Sequence, residues 1–302
     1  MRAEMKIGYL GLGKMGKNMV LRLLEQGISV VAWNRSQVPL EQVVQAGAQG
    51  ADSPEEVVKS LQSPRVVWIM LPQGELIDQI INTLVPHLTE GDLVIDGGNS
   101  FYKDSVRRAK QLEQKRIHFM DIGVSGGPSG ARHGACLMIG GEVSDYQRIE
   151  PLVKALAATD AYRHLGPVGA GHFAKMVHNG IEYGMMQAIA EGAAVLHSSP
   201  FHFDLKQVFD IYNRQSVIES RLIGWATQAF QIDQNLSDVS SSIGHTGEGQ
   251  WMVDAARELG VNIPVIEQSL QIRLRSADEP ENWRNKVVSA LRGQFGGHSI
   301  QK

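Results

Sequence analysis

Residues 6–16 read KIGYLGLGKMG, a β-rich run that enters three closely spaced glycines and passes straight into an amphipathic helical pattern. Gly11, Gly13 and Gly16 let the chain turn tightly and let a pyrophosphate approach backbone N–H groups at a helix N-terminus, where the helix dipole favours an anion. A glycine pattern alone is a weak signal. With a strand before it, a helix after it and a second strand, SVVAWN (29–34), behind that, it predicts a dinucleotide-binding βαβ unit. NAD sites usually carry a carboxylate at the end of the second strand, whereas here the chain reads Asn34-Arg35-Ser36. With no acid to accept the ribose hydroxyl, and a guanidinium able to fork onto a phosphate, the expected cofactor is NADP, with NAD as the alternative.

Outward from this loop, RVVWIML (65–71), DLVID (92–96), IHFMDI (117–122) and ACLMIGG (135–141) read as further strands, and 15–26, 75–85 and 102–115 as helices. This alternation predicts a parallel sheet flanked by helices. Ser53-Pro54-Glu55-Glu56 is a capping box with proline at the first helical position, so a helix should start there. From about residue 170 the strand signals fade, and 170–197, 204–230, 248–259 and 264–275 carry helical periodicity. The expected fold class is therefore an α/β Rossmann-type N-terminal domain, residues 1–169, followed by an all-α C-terminal domain, residues 170–302. At about 1.5 Å per residue, 170–197 would span roughly 40 Å, long enough to be shared by both halves.

Composition narrows the function classes. The 302 residues are 20% charged with a net charge of −3, so there is no basic patch to bind nucleic acid and no charge excess to keep the chain disordered. Cys136, the single cysteine, excludes an internal disulfide and suits a reducing compartment. The opening MRAEMK leads directly into a strand, and the chain has no apolar run of membrane-spanning length. A cytoplasmic protein with no membrane partner is expected.

The stretch HFAKMVHNGIEYGMMQ (172–187) is apolar, yet Lys175, His178, Asn179 and Glu182 recur at i, i+3, i+4 and i+7, with Tyr183 on the edge of that stripe. Met176, Val177, Ile181, Met185 and Met186 make the rest look buried nearly all round. Standing alone, the stripe would read as a solvated face. A lysine and a glutamate two turns apart, roughly 10 Å along the axis, can also bracket a small sugar acid. In that role burial would favour a neutral lysine base, and the glutamate would have to be protonated to act as an acid. The histidines show no clear metal-ligand spacing, so no metal is expected.

Taken together, the glycine loop, IDGGNS (95–100), DIGVSGG (121–127) and GPVGAGHFAKMVHNG (166–180) resemble the β-hydroxyacid dehydrogenases, and KMVHNGIEYGMMQ (175–187) resembles the decarboxylating 6-phosphogluconate dehydrogenases among them. The similarity runs from residue 6 to about 298 and is to the short bacterial form. It implies oxidation and decarboxylation of 6-phosphogluconate to ribulose 5-phosphate, a step of the pentose phosphate pathway, in a homodimer or higher homo-oligomer. Lys175 would be the base at the carbon-3 hydroxyl and Glu182 the acid at carbon 1. Asn179 and His178 would hold the substrate, with Asn99, Ser125, Gly126 and Gly127 opposite. Tyr183 and Arg273 match phosphate-contacting positions. Cofactor contacts would come from Gly11, Gly13, Lys14, Met15, Gly16, Asn34, Arg35, Ser36, Leu71 and Asn99.

Two features depart from the family pattern. Gln250 stands where a cation commonly meets the substrate phosphate, and Pro128-Ser129 replaces an acidic pair of the long form. The ending ALRGQFGGHSIQK (290–302) carries Arg292 and His298 across a glycine-rich stretch that reads as a shaped loop. The resemblance implies that both reach into a neighbouring subunit's phosphate site. The competing readings are a non-decarboxylating dehydrogenase, which has no use for His178, Glu182 and Tyr183, and a dinucleotide sensor without chemistry, which has no use for Lys175 paired with Glu182.

Overall fold

A computed structural model describes residues 5–245 and 247–296. They fall into two compact units, one ending at Lys175 and the other beginning at Met176. This division lies inside a helix, a few residues beyond the change of periodicity near residue 170.

The first unit is an eight-stranded sheet with helices between its strands. In chain order it comprises β1 (Lys6–Leu10), α1 (Lys14–Glu25), β2 (Ser29–Trp33), α2 (Gln37–Gln45), β3 (Gln49–Gly50), α3 (Pro54–Lys59), β4 (Val66–Ile69), α4 (Glu75–Leu84), β5 (Leu93–Asp96) and α5 (Tyr102–Glu113). There follow β6 (His118–Ser125), α6 (Gly127–His133), β7 (Ala135–Gly140), α7 (Val143–Leu156), β8 (Ala157–Gly166) and the start of α8 (Ala170–His197). The strand order is β3-β2-β1-β4-β5-β6-β7-β8. β1 lies between β2 and β4, so the order reverses at β1 and leaves a crevice at the carboxyl ends of β1 and β4. Alternate residues of the central strands feed opposite cores. Ile7, Tyr9, Val30, Ala32, Trp68 and Ile95 pack on one face; Leu10, Val31, Val67, Ile69 and Val94 pack on the other.

Helix starts follow local chemistry. Ser53 caps α3 by accepting the Glu56 N–H at 3.2 Å, and the Glu56 carboxylate reaches back to the Asp52 N–H at 2.7 Å. The expectation of a wholly parallel sheet needs one correction: β6 and β7 are antiparallel. The intervening 126–134 is shorter than the dozen or so residues that a parallel crossover requires, and Gly126, Gly127 and Gly134, all at positive φ, turn the chain back.

The second unit continues α8 and adds α9 (Leu205–Tyr212), α10 (Arg221–Ile232), α11 (Glu248–Glu258), α12 (Pro264–Arg275) and α13 (Trp283–Gly296) around one apolar core. The periodic run 204–230 is thus two helices. Ser220 caps α10 by accepting the Ile223 N–H, the Asn213 side chain accepts the Ser220 N–H, and Gln215 sits at a φ of 57°, so side chains satisfy the broken ends. Of the glycine-rich ending read as a loop, 290–296 are helical instead, because α13 runs through Gly293 to Gly296, and 297–302 lie outside the described residues. Val287, Val288, Ala290 and Leu291 are buried there, and their packing outweighs the helix cost of glycine, about 1 kcal/mol each. α8 is not buried all round: Ile181, Met185 and Val195 are 51%, 41% and 72% exposed. No described helix is long and apolar enough to cross a membrane.

Candidate active site

The glycine loop is built by two backbone approaches and one open position. A Cβ at Gly11, whose φ is 101°, would lie 2.3 Å from the Met70 carbonyl oxygen, and one at Gly16 would lie 2.1 Å from the Gly11 carbonyl oxygen. These glycines are demanded by packing of β1, β4 and α1. Gly13 is different, since no protein atom lies within 4 Å of where its Cβ would stand, and it occupies the N-cap of α1 with no side chain capping that end. Exposed amides beside an open glycine fit a pyrophosphate. Lys14 opens α1, and Met15 packs its side chain partly into the core.

Asn34 ties the end of β2 to this loop, accepting the Leu12 N–H at 2.8 Å and donating to the Ser36 carbonyl at 2.9 Å. Arg35 and Ser36 are exposed just beyond β2, with Ser36 at the N-cap of α2. No carboxylate occupies the ribose position. Leu71 joins the loop to the next one, its Cδ2 being 2.8 Å from a Cβ built on Gly11 and its carbonyl oxygen 2.8 Å from one built on Gly98.

The loop carrying Asn99 rests on groups that sequence reading did not single out. The buried Asp96 accepts the Gly98 N–H at 3.0 Å and the Ser100 hydroxyl at 2.7 Å, and it pairs with the buried Arg108 at 3.3 Å. Arg108 also forks onto Asp78, at 3.0 and 3.1 Å, and donates to the Gly74 carbonyl. Arg107 makes a second fork on Asp78. Buried charge is tolerated here because every ion is paired and hydrogen-bonded. Asp96 ends a strand, a position where a carboxylate is a recognisable signal. Arg108 lay hidden in a helix that reads as surface.

Lys175 is half-buried near the start of α8. A Cβ on Gly123 of β6 would lie 2.5 Å from the lysine Cβ, so the absence of a side chain at Gly123 lets the lysine's root sit directly on the sheet. Ser125, Gly126 and Gly127 end the same strand and open α6, with φ of 123° and 62° at the two glycines. Pro128 occupies the first turn of α6, where its missing N–H costs nothing.

In the second unit, His178 Nδ1 lies 3.1 Å from Asn179 Oδ1 and 3.8 Å from Glu182 Oε2, so these three stripe residues are in mutual reach. Tyr183 is buried, and the Arg273 guanidinium lies 3.4 Å from its ring centroid, a close cation–π contact. The opposite constraint is Gly249 on α11, where a Cβ would stand 2.6 Å from Tyr183 Cε2. Burial pushes the Arg273 guanidinium below the usual arginine value, and the neighbouring Arg292 charge adds to this. Burial also lowers Arg292, opposed by Tyr183, Glu248 and Glu182. Burial raises the Tyr183 phenol, which stays a donor at neutral pH.

Arg292 stands with Tyr183 and Arg273 of its own chain, and its Nη1 lies 3.1 Å from a Cβ built on Gly244. α13 carries it there by remaining helical. Gln250 is exposed and donates to Asp254 at 2.8 Å, while its neighbours Glu248 and Gly249 face inward. His298 lies outside the described residues.

Comparison with known proteins gives the family of both units. The NAD binding domain of 6-phosphogluconate dehydrogenase matches residues 6–166, and the C-terminal domain of 6-phosphogluconate dehydrogenase matches residues 171–301. The chain is 42% identical over 298 residues to a Bacillus subtilis protein, YqeC, that bears the provisional name of 6-phosphogluconate dehydrogenase, covering 99% of this chain and 100% of that one. It is 37% identical to the NAD(+)-dependent, decarboxylating 6-phosphogluconate dehydrogenase of Haloferax volcanii, covering 99% of each. Among solved structures, the 6-phosphogluconate dehydrogenase of Plasmodium falciparum, described with its cofactor NADP+ and with 6-phosphogluconate, superposes with a TM-score of 0.80 at 29% identity, covering 95% of this chain and 70% of that one. With both domain models spanning nearly its whole length, the chain belongs to the 6-phosphogluconate dehydrogenase family of oxidoreductases.

Proposed function

We propose that this protein oxidises and decarboxylates 6-phosphogluconate to ribulose 5-phosphate, with NADP as the preferred hydride acceptor. The observation that carries the reading is the pair of guanidiniums, the buried Arg273 and the half-buried Arg292, beside the Tyr183 phenol. Two cations that repel each other in a desolvated setting are best satisfied by a dianion, and a sugar phosphate supplies one.

NADP, held by the glycine loop, would supply the acceptor for the hydride that leaves carbon 3. Lys175, in its neutral form, removes the carbon-3 hydroxyl proton, which leaves a β-keto acid whose carboxylate departs as carbon dioxide. His178 and Asn179 hold the hydroxyls and the carboxylate, and their hydrogen bonds stabilise the enolate left behind. Glu182 then returns a proton to carbon 1 of the enediol, the former carbon 2 of the substrate. Asn99, Ser125, Gly126 and Gly127 bind the substrate from the strand ends. Ser36 and Arg35 receive the cofactor's 2′-phosphate, and the absence of a carboxylate there supports the preference for NADP.

A homodimer fits the remaining surface. Ile181, Met185 and Val195 of α8 are exposed beside an apolar groove of about 680 Å³ lined by α8, α9 and α10, and a second copy of the chain would bury both. We place the enzyme in the cytoplasm.

The deciding assay measures NADPH and carbon dioxide released from 6-phosphogluconate and from unphosphorylated gluconate. Two charge-assisted contacts to phosphate, each worth about 1.5–3 kcal/mol, predict a kcat/KM roughly 10²- to 10⁴-fold higher for the phosphorylated acid. NADPH without carbon dioxide would establish a non-decarboxylating dehydrogenase instead. Replacing NADP by NAD should lower kcat/KM, and Arg35→Asp should move the preference toward NAD by roughly tenfold to a hundredfold.

A further inference from the structure

Beneath Lys175 lies a buried polar network to which the reaction above gives no role. Asp121, in the middle of β6, is fully buried. Its Oδ1 accepts the Gly169 N–H and its Oδ2 accepts the His172 N–H, both at 2.6 Å. One carboxylate thus satisfies two amides at the start of α8 that the helix cannot pair itself, and its charge lies at the positive end of a 28-residue helix. His172 is 1% exposed; its Nδ1 lies 2.7 Å from the Ser105 hydroxyl on α5 and 3.9 Å from Asp121 Oδ2. Its Nε2 has no hydrogen-bond partner among the described residues.

The packing around this carboxylate has no slack. A Cβ on Gly171 would lie 2.4 Å from the Asp121 carbonyl oxygen and 2.6 Å from that of Met138, and a Cβ on Gly140 would lie 2.5 Å from Asp121 Oδ1. The first turn of α8 therefore lies directly on the backbones of β6 and β7. Lys175 follows His172 by one turn, with its Cβ against Gly123, two residues along β6 from Asp121.

A long helix does not need such an arrangement merely to form. A serine or asparagine cap would satisfy its amides without burying an ion, and burying a carboxylate is costly unless it is fully hydrogen-bonded. What a charged clamp on two specific amides adds is an invariant position for the helix start. A displacement of 1 Å at a reacting group costs on the order of 10²-fold in rate.

We propose that Asp121 is the positioning residue of the base: its carboxylate, backed by the Ser105–His172 pair, locks the first turn of α8 onto β6 and so sets where the Lys175 amine meets the substrate hydroxyl. This rests on the assignment of Lys175 as the base in the proposed reaction. It concerns geometry, and neither Asp121 nor His172 exchanges a proton with the substrate.

The test is Asp121→Asn, which keeps the size of the side chain but leaves one acceptor for two N–H groups. With 6-phosphogluconate and NADP, kcat should fall roughly tenfold to a hundredfold, while KM for either substrate stays unchanged. The primary deuterium isotope effect with substrate labelled at carbon 3 should rise, because hydride transfer becomes slower than product release. A purely structural role would lower the melting temperature and leave the isotope effect of the surviving enzyme unaltered. Ser105→Ala removes the hydroxyl that backs His172 behind the carboxylate and should give the same signature in weaker form, so it decides the matter if Asp121→Asn does not fold. Unchanged kcat and isotope effect in the folded variants, with an active wild type, overturn this inference alone. A wild type that does not turn over 6-phosphogluconate overturns the functional reading, and this inference with it.

Discussion

In the unit that ends at Lys175, candidate residues are set by backbone meeting backbone: Gly11 against Met70, Gly16 against Gly11, Gly123 against the root of Lys175, with the buried carboxylates of Asp96 and Asp121 pinning loop and helix amides. The unit that begins at Met176 works through side chains. Tyr183, Glu248, Arg273 and Arg292 come from four helices and meet through a ring face and charges felt over short distances. The first design gives rigid placement of Lys175, the proposed base. The second gives a charged patch assembled from the side chains of four helices.

The largest expected effect would break the comparison outright. Lys175→Met preserves the aliphatic root that rests on Gly123 and removes the amine, so turnover should drop by 10²- to 10⁴-fold, the usual range for an acid–base group, with no loss of thermal stability. Glu182→Gln should slow protonation and leave NADP binding intact. Near-normal rates in Lys175→Met, measured as NADPH formation, would remove the base from the first unit altogether.

Arg292→Ala sharpens the contrast at a smaller scale. Loss of a charge-assisted contact worth about 1.5–3 kcal/mol should raise KM for 6-phosphogluconate roughly tenfold to a hundredfold, with little change for NADP. Because Arg292 stands beside its own chain's Tyr183 and Arg273, mixing Lys175→Met with Arg292→Ala subunits should restore no activity. Recovery after subunit exchange would show the arginine acting across a dimer.

The smallest effect concerns stability and pH in the first unit. Asp78 accepts the paired forks of Arg108 and Arg107, which outweigh its desolvation and hold its carboxyl down at about 2, against an ordinary 3.8. A depressed folded-state value stabilises the protein above the unfolded value, by about 2 kcal/mol at neutral pH, and that share disappears as pH falls from about 4 to about 2. Urea midpoints should therefore show Asp78→Asn less stable than wild type at pH 7, with the gap closing in acid. An equal gap at both ends would mean that the forks contribute packing and no charge.

The two units were also unequally legible. KIGYLGLGKMG, the capping box at Ser53 and the span 170–197 are local patterns, and each became the expected strand, turn or helix because its determinants lie within a turn or two of each other. Sequence did less well where a distant partner decides. The run 204–230 is split by Asn213 and Ser220, and α13 stays helical through Gly293 and Gly296 because its apolar face is buried. β7 runs antiparallel because the connection before it is short.

What the sequence determined by itself was the class of fold, the family and the residue types that carry the chemistry, since glycine spacing, strand and helix period and a polar stripe are all short-range signals. Only the tertiary structure decided which glycines serve packing and which leave space, that Asp121 and Asp96 anchor the elements bearing Lys175 and Asn99, and that Arg292 joins Arg273 on Tyr183. The physical reason is that charge, burial and close approach are properties of atoms brought together from far apart in the chain, and no local pattern records those distances.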